Sequence, residues 1–220
     1  MITFNQVYKC YPQGQRALVD LNFTLKQGGI SFITGHSGAG KSTVLKLIAA
    51  LESPTSGIIT INNHNINKMQ HSQIANLRRQ IGLIFQTPNF LPDHTIHENI
   101  ALPLQIAGFR SNEIKKHVHT ALNKVNLLDK EFLFPDMLSC GEKQRAGIAR
   151  AIITNPAIIL ADEPTGNLDP TLANEIMQLF MDFNYSGSTV LIASHNIDLI
   201  NKFNCRTLTL KNGALINDAG

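Results

Sequence analysis

The run Gly35-His36-Ser37-Gly38-Ala39-Gly40-Lys41-Ser42-Thr43 has the spacing G-x-x-x-x-G-K-[ST], whose chemistry is the holding of a nucleotide's phosphate chain. Gly35, Gly38 and Gly40 let the backbone turn its N–H groups inward with no Cβ in the way, and the helix that follows offers its positive N-terminal end to an anion. Lys41 supplies a point charge for the β- and γ-phosphates, and Ser42 a hydroxyl for Mg²⁺. Far along the chain, Ile158-Ile159-Leu160-Ala161-Asp162-Glu163 is an apolar run ending on two carboxylates. Open α/β sheets place their ligands at that end of a strand. Asp162 can hold Mg²⁺ through its water shell, and Glu163 can orient or deprotonate the water that attacks a γ-phosphate. An isolated Asp-Glu pair would as readily cap the next helix; beside a phosphate loop the catalytic reading prevails. His195 follows the run that ends at Ala193, and so emerges at the same edge, where it could contact the γ-phosphate. Gln86 ends the run Ile81-Gly82-Leu83-Ile84-Phe85, where an uncharged amide can touch both the metal and the attacking water.

Leu138-Ser139-Cys140-Gly141-Glu142 admits two compatible readings. Ser139-x-x-Glu142 is a capping box, which by itself explains both residues. A capped helix start with a small-residue backbone is also an anion site.

These residues need elements to position them. Ile30-Ser31-Phe32-Ile33-Thr34 is a short β-branched and aromatic run feeding the phosphate loop, and 44–50 continues it as a buried helix, stopped by Ser53-Pro54-Thr55-Ser56-Gly57. Residues 2–7 and 21–25 alternate apolar with polar, as half-buried antiparallel strands do, and 58–65 reads as a strand and turn returning to that layer. Residues 72–79 predict a short polar helix. From 87 to 139 the pattern turns helical and is punctuated by Pro88, Pro92, Pro103 and Pro135, an inserted helical lobe in which Ile114, Val118, Ala121, Leu122 and Val125 share one helix face behind Ser111. A helix after Ser139 to about 153, a strand over 157–161, a helix over 172–183 and a strand over 189–193 then alternate, which implies parallel βαβ units. Asn212-Gly213 closes the chain as a hairpin over 207–216.

The 220 residues are 43% hydrophobic and 16% charged, enough for a sizeable core and not a disordered composition. A net charge of +3 from 19 basic and 16 acidic residues, with no run of like charges, gives no extended nucleic-acid footprint. Cys10, Cys140 and Cys205 lack metal-ligand spacing, which suits a reducing cytosol and argues against a disulfide framework. Residues 1–11 alternate like a strand rather than reading as a signal peptide, and no apolar run approaches a membrane span, so a membrane role would act through a partner.

In this order the segments resemble the ATP-binding-cassette ATPases over nearly the whole chain. Gly35 to Thr43 matches the Walker A loop, Gln86 the Q-loop, Leu138 to Glu142 the signature, Ile158 to Glu163 Walker B, Asn167-Leu168-Asp169 the D-loop and His195 the switch histidine. The resemblance implies an α/β fold with a P-loop NTPase core, an antiparallel β subdomain and an inserted helical subdomain at about 87–139, all within one nucleotide-binding domain spanning 1–220. It implies Mg²⁺-dependent hydrolysis of ATP to ADP and phosphate, with Tyr11 or Tyr8 stacking on the adenine. It further implies a head-to-tail homodimer in which Ser139 and Gly141 of one copy close over the nucleotide held by the other.

Thr34 to Thr43, Leu77 to Gln86 and Leu160 to Asp169 look narrower still, like the cell-division ATP-binding members of that family, with His36 the telling residue. That likeness implies an integral membrane partner of the FtsX type, through which ATP turnover controls cell-wall hydrolases at the septum. It also implies a peripheral place on the cytoplasmic face of the bacterial inner membrane. Lipoprotein-release and export ATPases share most of the remaining residues and stand as the alternative. Cys140 departs from the family's signature glycine; its Cβ would sit beside the trans phosphate, weakening closure or slowing turnover, which opens a further alternative of a nucleotide-gated scaffold with negligible hydrolysis.

Overall fold

The computed structural model describes residues 1–166 and 168–219, so Asn167 of the predicted D-loop lies outside the described residues. Strands β1 (Ile2–Cys10), β2 (Arg16–Leu25), β4 (Ser56–Ile61) and β5 (His64–Asn65) form a four-stranded antiparallel sheet in the order β2-β1-β4-β5. Ile2 pairs with Leu25 on one side and with Ile61 on the other.

The second sheet draws on β3 (Ile30–Thr34), β6 (Ile81–Ile84), β7 (Ile158–Asp162), β8 (Thr189–Ala193), β9 (Arg206–Lys211) and β10 (Ala214–Ala219). Its six strands run in the order β10-β9-β3-β8-β7-β6; only β10 is antiparallel to its neighbour. The continuous apolar runs have a physical cause, because both faces of this sheet are covered. Phe32, Ile159, Ala161, Val190 and Ile192 go to one core, while Ile33, Ile158, Leu160, Leu191 and Ala193 go to the other. Successive side chains thus serve opposite cores, as the pleat demands.

One face is packed by α1 (Lys41–Ile48) and the antiparallel sheet, with α2 (His71–Arg79) beside them. The other is packed by α3 (Ile96–Ile106), α4 (Ser111–Lys124), α5 (Cys140–Ile152), α6 (Pro170–Tyr185) and α7 (Ile197–Phe203). The stripe foreseen along α4 is buried throughout, Val118 and Leu122 completely. Each large side chain so buried contributes roughly 1.5–3 kcal/mol, which outweighs the weak helix propensity of the Asn, His and Thr on the other face. The helix expected over 44–50 is shorter than its apolar run, because α1 ends at Ile48 and Ala50 turns left-handed at φ 52°. No described helix is long and apolar enough to cross a membrane.

Parallel order decides where the chemistry goes. Since β3, β8, β7 and β6 are neighbours running one way, their C-terminal ends deliver Gly35, His195, Asp162-Glu163 and Gln86 to one edge of the sheet.

Candidate functional site

The loop between β3 and α1 is held by its own backbone. Gly40 caps α1 at φ 106°, and a Cβ there would stand 2.6 Å from the Ala17 carbonyl and 2.8 Å from a Leu18 methyl, so packing against β2 enforces the glycine. Gly38, at φ 78°, would meet no protein atom within 4 Å. Its requirement is conformational, and the space in front of it is open cleft. Lys41 is 9% exposed and folds back so that Nζ donates to the carbonyls of Gly35 (2.8 Å) and His36 (3.3 Å). Among the described residues it forms no ion pair, so its charge is countered by carbonyl dipoles rather than by a carboxylate. A buried ammonium in that condition favours an anion in the cleft.

Asp162 ends β7 beneath this loop. Burial pushes its carboxyl above the ordinary aspartate value, with the neighbouring Glu163 charge adding to the effect, although the Ser42 hydroxyl and the charges of Lys41 and Lys46 pull the other way. Glu163 sits at φ 48°, a left-handed conformation costly for a residue with a side chain. The turn is pinned by the Glu163 N–H donating to Ala193 O at 2.9 Å, and it aims the carboxylate along the sheet edge. There His195 Nδ1–H donates to Glu163 Oε1 at 2.8 Å, with the histidine largely exposed and the glutamate side chain 12% exposed. A carboxylate shielded from solvent and paired to an imidazole open to it can accept a proton from water and pass it on.

Around these groups lies a cleft of about 540 Å³. Of the residues singled out from the sequence it is lined by Tyr11, His36, Ser37, Gly38, Ala39, Gly40, Lys41, Ser42, Thr43, Gln86, Asp162, Glu163 and His195. Gly35 is not among the described lining residues; a Cβ there would stand 2.3 Å from the Leu210 carbonyl of β9. Tyr8 is not among the described lining residues, and Tyr11 Oη donates to Glu52 Oε1 at 3.1 Å. Gln15 and Ala17 also line the cleft and were missed; their signal was position, immediately after the Tyr11 turn and at the start of β2.

The remaining predicted residues are elsewhere. Ser139 caps α5: its N–H and hydroxyl each donate to Glu142 Oε2 at 2.8 Å, and Glu142 N–H donates back to Ser139 Oγ at 3.3 Å. Cys140 and Gly141 open the helix behind it, the former exposed. Asp169 caps α6, accepting from the N–H groups of Thr171 (3.0 Å) and Leu172 (3.1 Å). None of Ser139, Gly141, Glu142 and Asp169 lines the cleft of its own chain. Two hydrogen bonds join α5 to the segment after β6: Gln144 Nε2 donates to Phe85 O at 3.3 Å, and an Arg150 guanidinium N–H donates to Asn89 O at 2.7 Å.

Among the described residues no three His, Cys, Asp or Glu converge as a metal cage. Ser42 and Asp162 together offer hydroxyl and carboxylate oxygen, a donor set suited to a hard cation completed by phosphate oxygens and water.

The chain matches the ABC transporter family over residues 18–166. It is 49% identical to the cell division ATP-binding protein FtsE of Escherichia coli K12 over 220 residues, covering 100% of this chain and 99% of that protein. It is 41% identical to FtsE of Bacillus subtilis 168 over 218 residues, 99% of this chain and 96% of that one. A dimeric, post-hydrolysis structure of the ATP-binding cassette MJ0796 bound to ADP and Pi superimposes with a TM-score of 0.93 at 36% identity, covering 99% of this chain and 97% of that one.

Proposed function

The chain belongs to the ABC transporter family, and on that footing we propose that it is the Mg²⁺-dependent ATPase subunit of a bacterial cell-division complex, working as an ATP-closed homodimer under an FtsX-like membrane protein. The whole of 1–220 serves as one nucleotide-binding domain, with 87–139 as its helical part. The observation that carries the reading is convergence: the phosphate loop, Asp162, Glu163, His195 and Gln86 come from separate strands and line one cleft.

In this reading the loop N–H groups and Lys41 orient the phosphates, and Tyr11 takes the adenine. Ser42, Asp162 and Gln86 would hold Mg²⁺, which neutralises phosphate charge when bound. Glu163 accepts a proton from the attacking water as its oxygen bonds to the γ-phosphorus, and the bond to the β-phosphate oxygen breaks to leave ADP. His195 holds the glutamate and receives part of the developing charge. Ser139 and Gly141 of the second copy cover the phosphates, in keeping with their absence from the cleft of their own chain and with the dimeric state of MJ0796. The partner has a place to dock. An apolar groove of about 630 Å³ between α2, β6, α3 and α5 is lined by Leu83, Pro103, Ile106 and Phe109 under Arg78 and Arg79, with Ile106 69% exposed.

Glu163→Gln tests the assignment. The variant keeps ATP affinity, accumulates a closed dimer and loses turnover by on the order of 10²–10⁴; parent-like turnover would remove Glu163 from the base role. The exposed Cys140 at the head of α5 favours a second reading, a nucleotide-gated scaffold. Robust steady-state turnover by the parent with its membrane partner excludes it.

A further inference from the structure

Tyr11 is fastened to the rest of the chain through Glu52, which is not among the described lining residues of the cleft. Three parts of the fold meet at this one carboxylate. Tyr11 Oη, just beyond β1, donates to Glu52 Oε1 at 3.1 Å, and the Thr43 hydroxyl of α1 stands 3.4 Å from the same phenol oxygen. Lys9 Nζ, from the end of β1, lies 3.1 Å from Glu52 Oε2, and Lys46 Nζ, from α1, 3.6 Å from Oε1. Lys9 Nζ also donates to Ser53 O at 2.8 Å and sits 5.1 Å from the centroid of the Tyr11 ring. Lys9 itself is not among the described lining residues of the cleft, whereas the Tyr11 ring it stands over is. Burial acts to raise the Glu52 carboxyl, but the Lys9 ammonium paired with it, the hydrogen bond from Tyr11 and the charge of Lys46 overcome it and hold the group below its ordinary value. With the glutamate side chain 21% and the lysine 14% exposed, this is a partly desolvated network rather than a loose surface pair.

We propose that Glu52 is a positioning residue for nucleotide binding: with Lys9 it fixes the Tyr11 ring in advance as a platform for the base and ties that platform, through Thr43, to the helix behind the phosphate loop. A ring ordered before the ligand arrives loses no rotamer freedom when the base docks. The Lys9 ammonium, 5.1 Å from the ring centroid, polarises that ring. The inference rests on the cleft being a nucleotide site.

The test compares ATP with inorganic tripolyphosphate, which has the phosphates but no base, in equilibrium binding to the full chain with Mg²⁺. Glu52→Ala weakens ATP about tenfold and changes tripolyphosphate by no more than about twofold. Tyr11→Phe, which removes only the hydroxyl, loses ATP affinity to a similar degree, and Glu52→Gln recovers part of the loss. Glu52→Ala on top of Tyr11→Ala costs nothing further. In turnover the loss falls in KM rather than in kcat. Equal weakening of ATP and tripolyphosphate by Glu52→Ala, or full additivity with Tyr11→Ala, overturns the proposal. Should Glu52→Ala fail to fold, Tyr11→Phe and Glu52→Gln carry the same comparison, and parent-like ATP affinity in both overturns it. A parent that binds neither ligand sinks the nucleotide reading itself, whereas a parent that binds ATP beside an unaffected Glu52→Ala sinks this inference alone.

Discussion

The head of α5 and the end of β7 each carry a carboxylate, and the fold treats the two in opposite ways. At α5 the Ser139 N–H and then its hydroxyl hold the Glu142 carboxyl below its ordinary value. At β7 burial holds Asp162 above its ordinary value, although Ser42, Lys41 and Lys46 pull against it. The head of α5 is therefore finished in hydrogen bonds, whereas the cleft keeps a partly buried carboxylate and a buried ammonium whose balance improves when a polyphosphate and a cation enter. Stability is built into one region and function into the other. The finished region faces nothing in the cleft of its own chain, and its use, in the proposed dimer, lies in a second copy.

The sharpest way to break this contrast is complementation in trans. Lys41→Ala disables the loop and Ser139→Arg the head of α5, and each alone is expected to lose ATPase activity by on the order of 10² or more. Mixed in equal amounts they recover about a quarter of the parent rate, because half the dimers are mixed and one of the two sites in each is intact. A mixture as inactive as its components would show that the two regions do not share a site.

A smaller effect follows from the unbalanced carboxylate. Asp162→Asn removes a partly buried charge while keeping a polar side chain for Ser42, so the nucleotide-free protein should become more stable as its ATPase activity falls. A gain of about 1 kcal/mol raises Tm by roughly 2–4 °C in a chain of this size. A lowered Tm in differential scanning calorimetry would mean that the apo fold does not bear the cost of Asp162, and the contrast with Glu142 would lose one side.

Much of the cleft was legible because its signals are local. The phosphate loop carries its glycines and lysine within one turn of chain, and the runs of β3, β7 and β8 are apolar without a break because both faces are covered. The cap at Ser139 is likewise four residues wide. Features set by distant residues were not legible. The limits of α3 are hidden by Pro103 inside it, which reads as a breaker, although Ile96, Ile100 and Leu104 are fully buried. The loop before α3 is organised by Asn99, fully buried, whose Nδ2 lies 3.0 Å from each of the carbonyls of Leu91, His94 and Thr95 and whose Oδ1 accepts from the Leu91 N–H at 2.8 Å. Glu131 lies buried between His97 (2.5 Å) and His119 (2.9 Å), partners more than ten residues away in either case. In the cleft itself the hydrogen bond of Tyr11 reaches Glu52 across the fold, and the left-handed turn at Glu163 is pinned by the Ala193 carbonyl of the neighbouring strand. Spacing along a chain carries no record of such pairings.

The smallest effect separates hydrogen bonding from charge at the head of α5. Because the Glu142 carboxyl is lowered in the folded chain, its contribution is present above the unfolded carboxyl value of about 4.3 and is lost as pH falls through the lower folded value. Glu142→Gln should therefore cost a few tenths of a kcal/mol at neutral pH, the charge being screened by solvent, and the gap between parent and variant in urea melts should close below that window. Other carboxyls also titrate there, but they do so in both proteins and cancel in the difference. Salt decides the cause. Lys130 Nζ is 4.0 Å from Glu142 Oε1, near the limit of an ion pair, while both Ser139 donors are at 2.8 Å. If the Ser139 hydrogen bonds dominate, the gap persists in about 1 M NaCl, where the Debye length shrinks to about 3 Å. A gap that collapses in salt would transfer the effect to Lys130 and leave the capping box a weaker stabiliser than its geometry indicates.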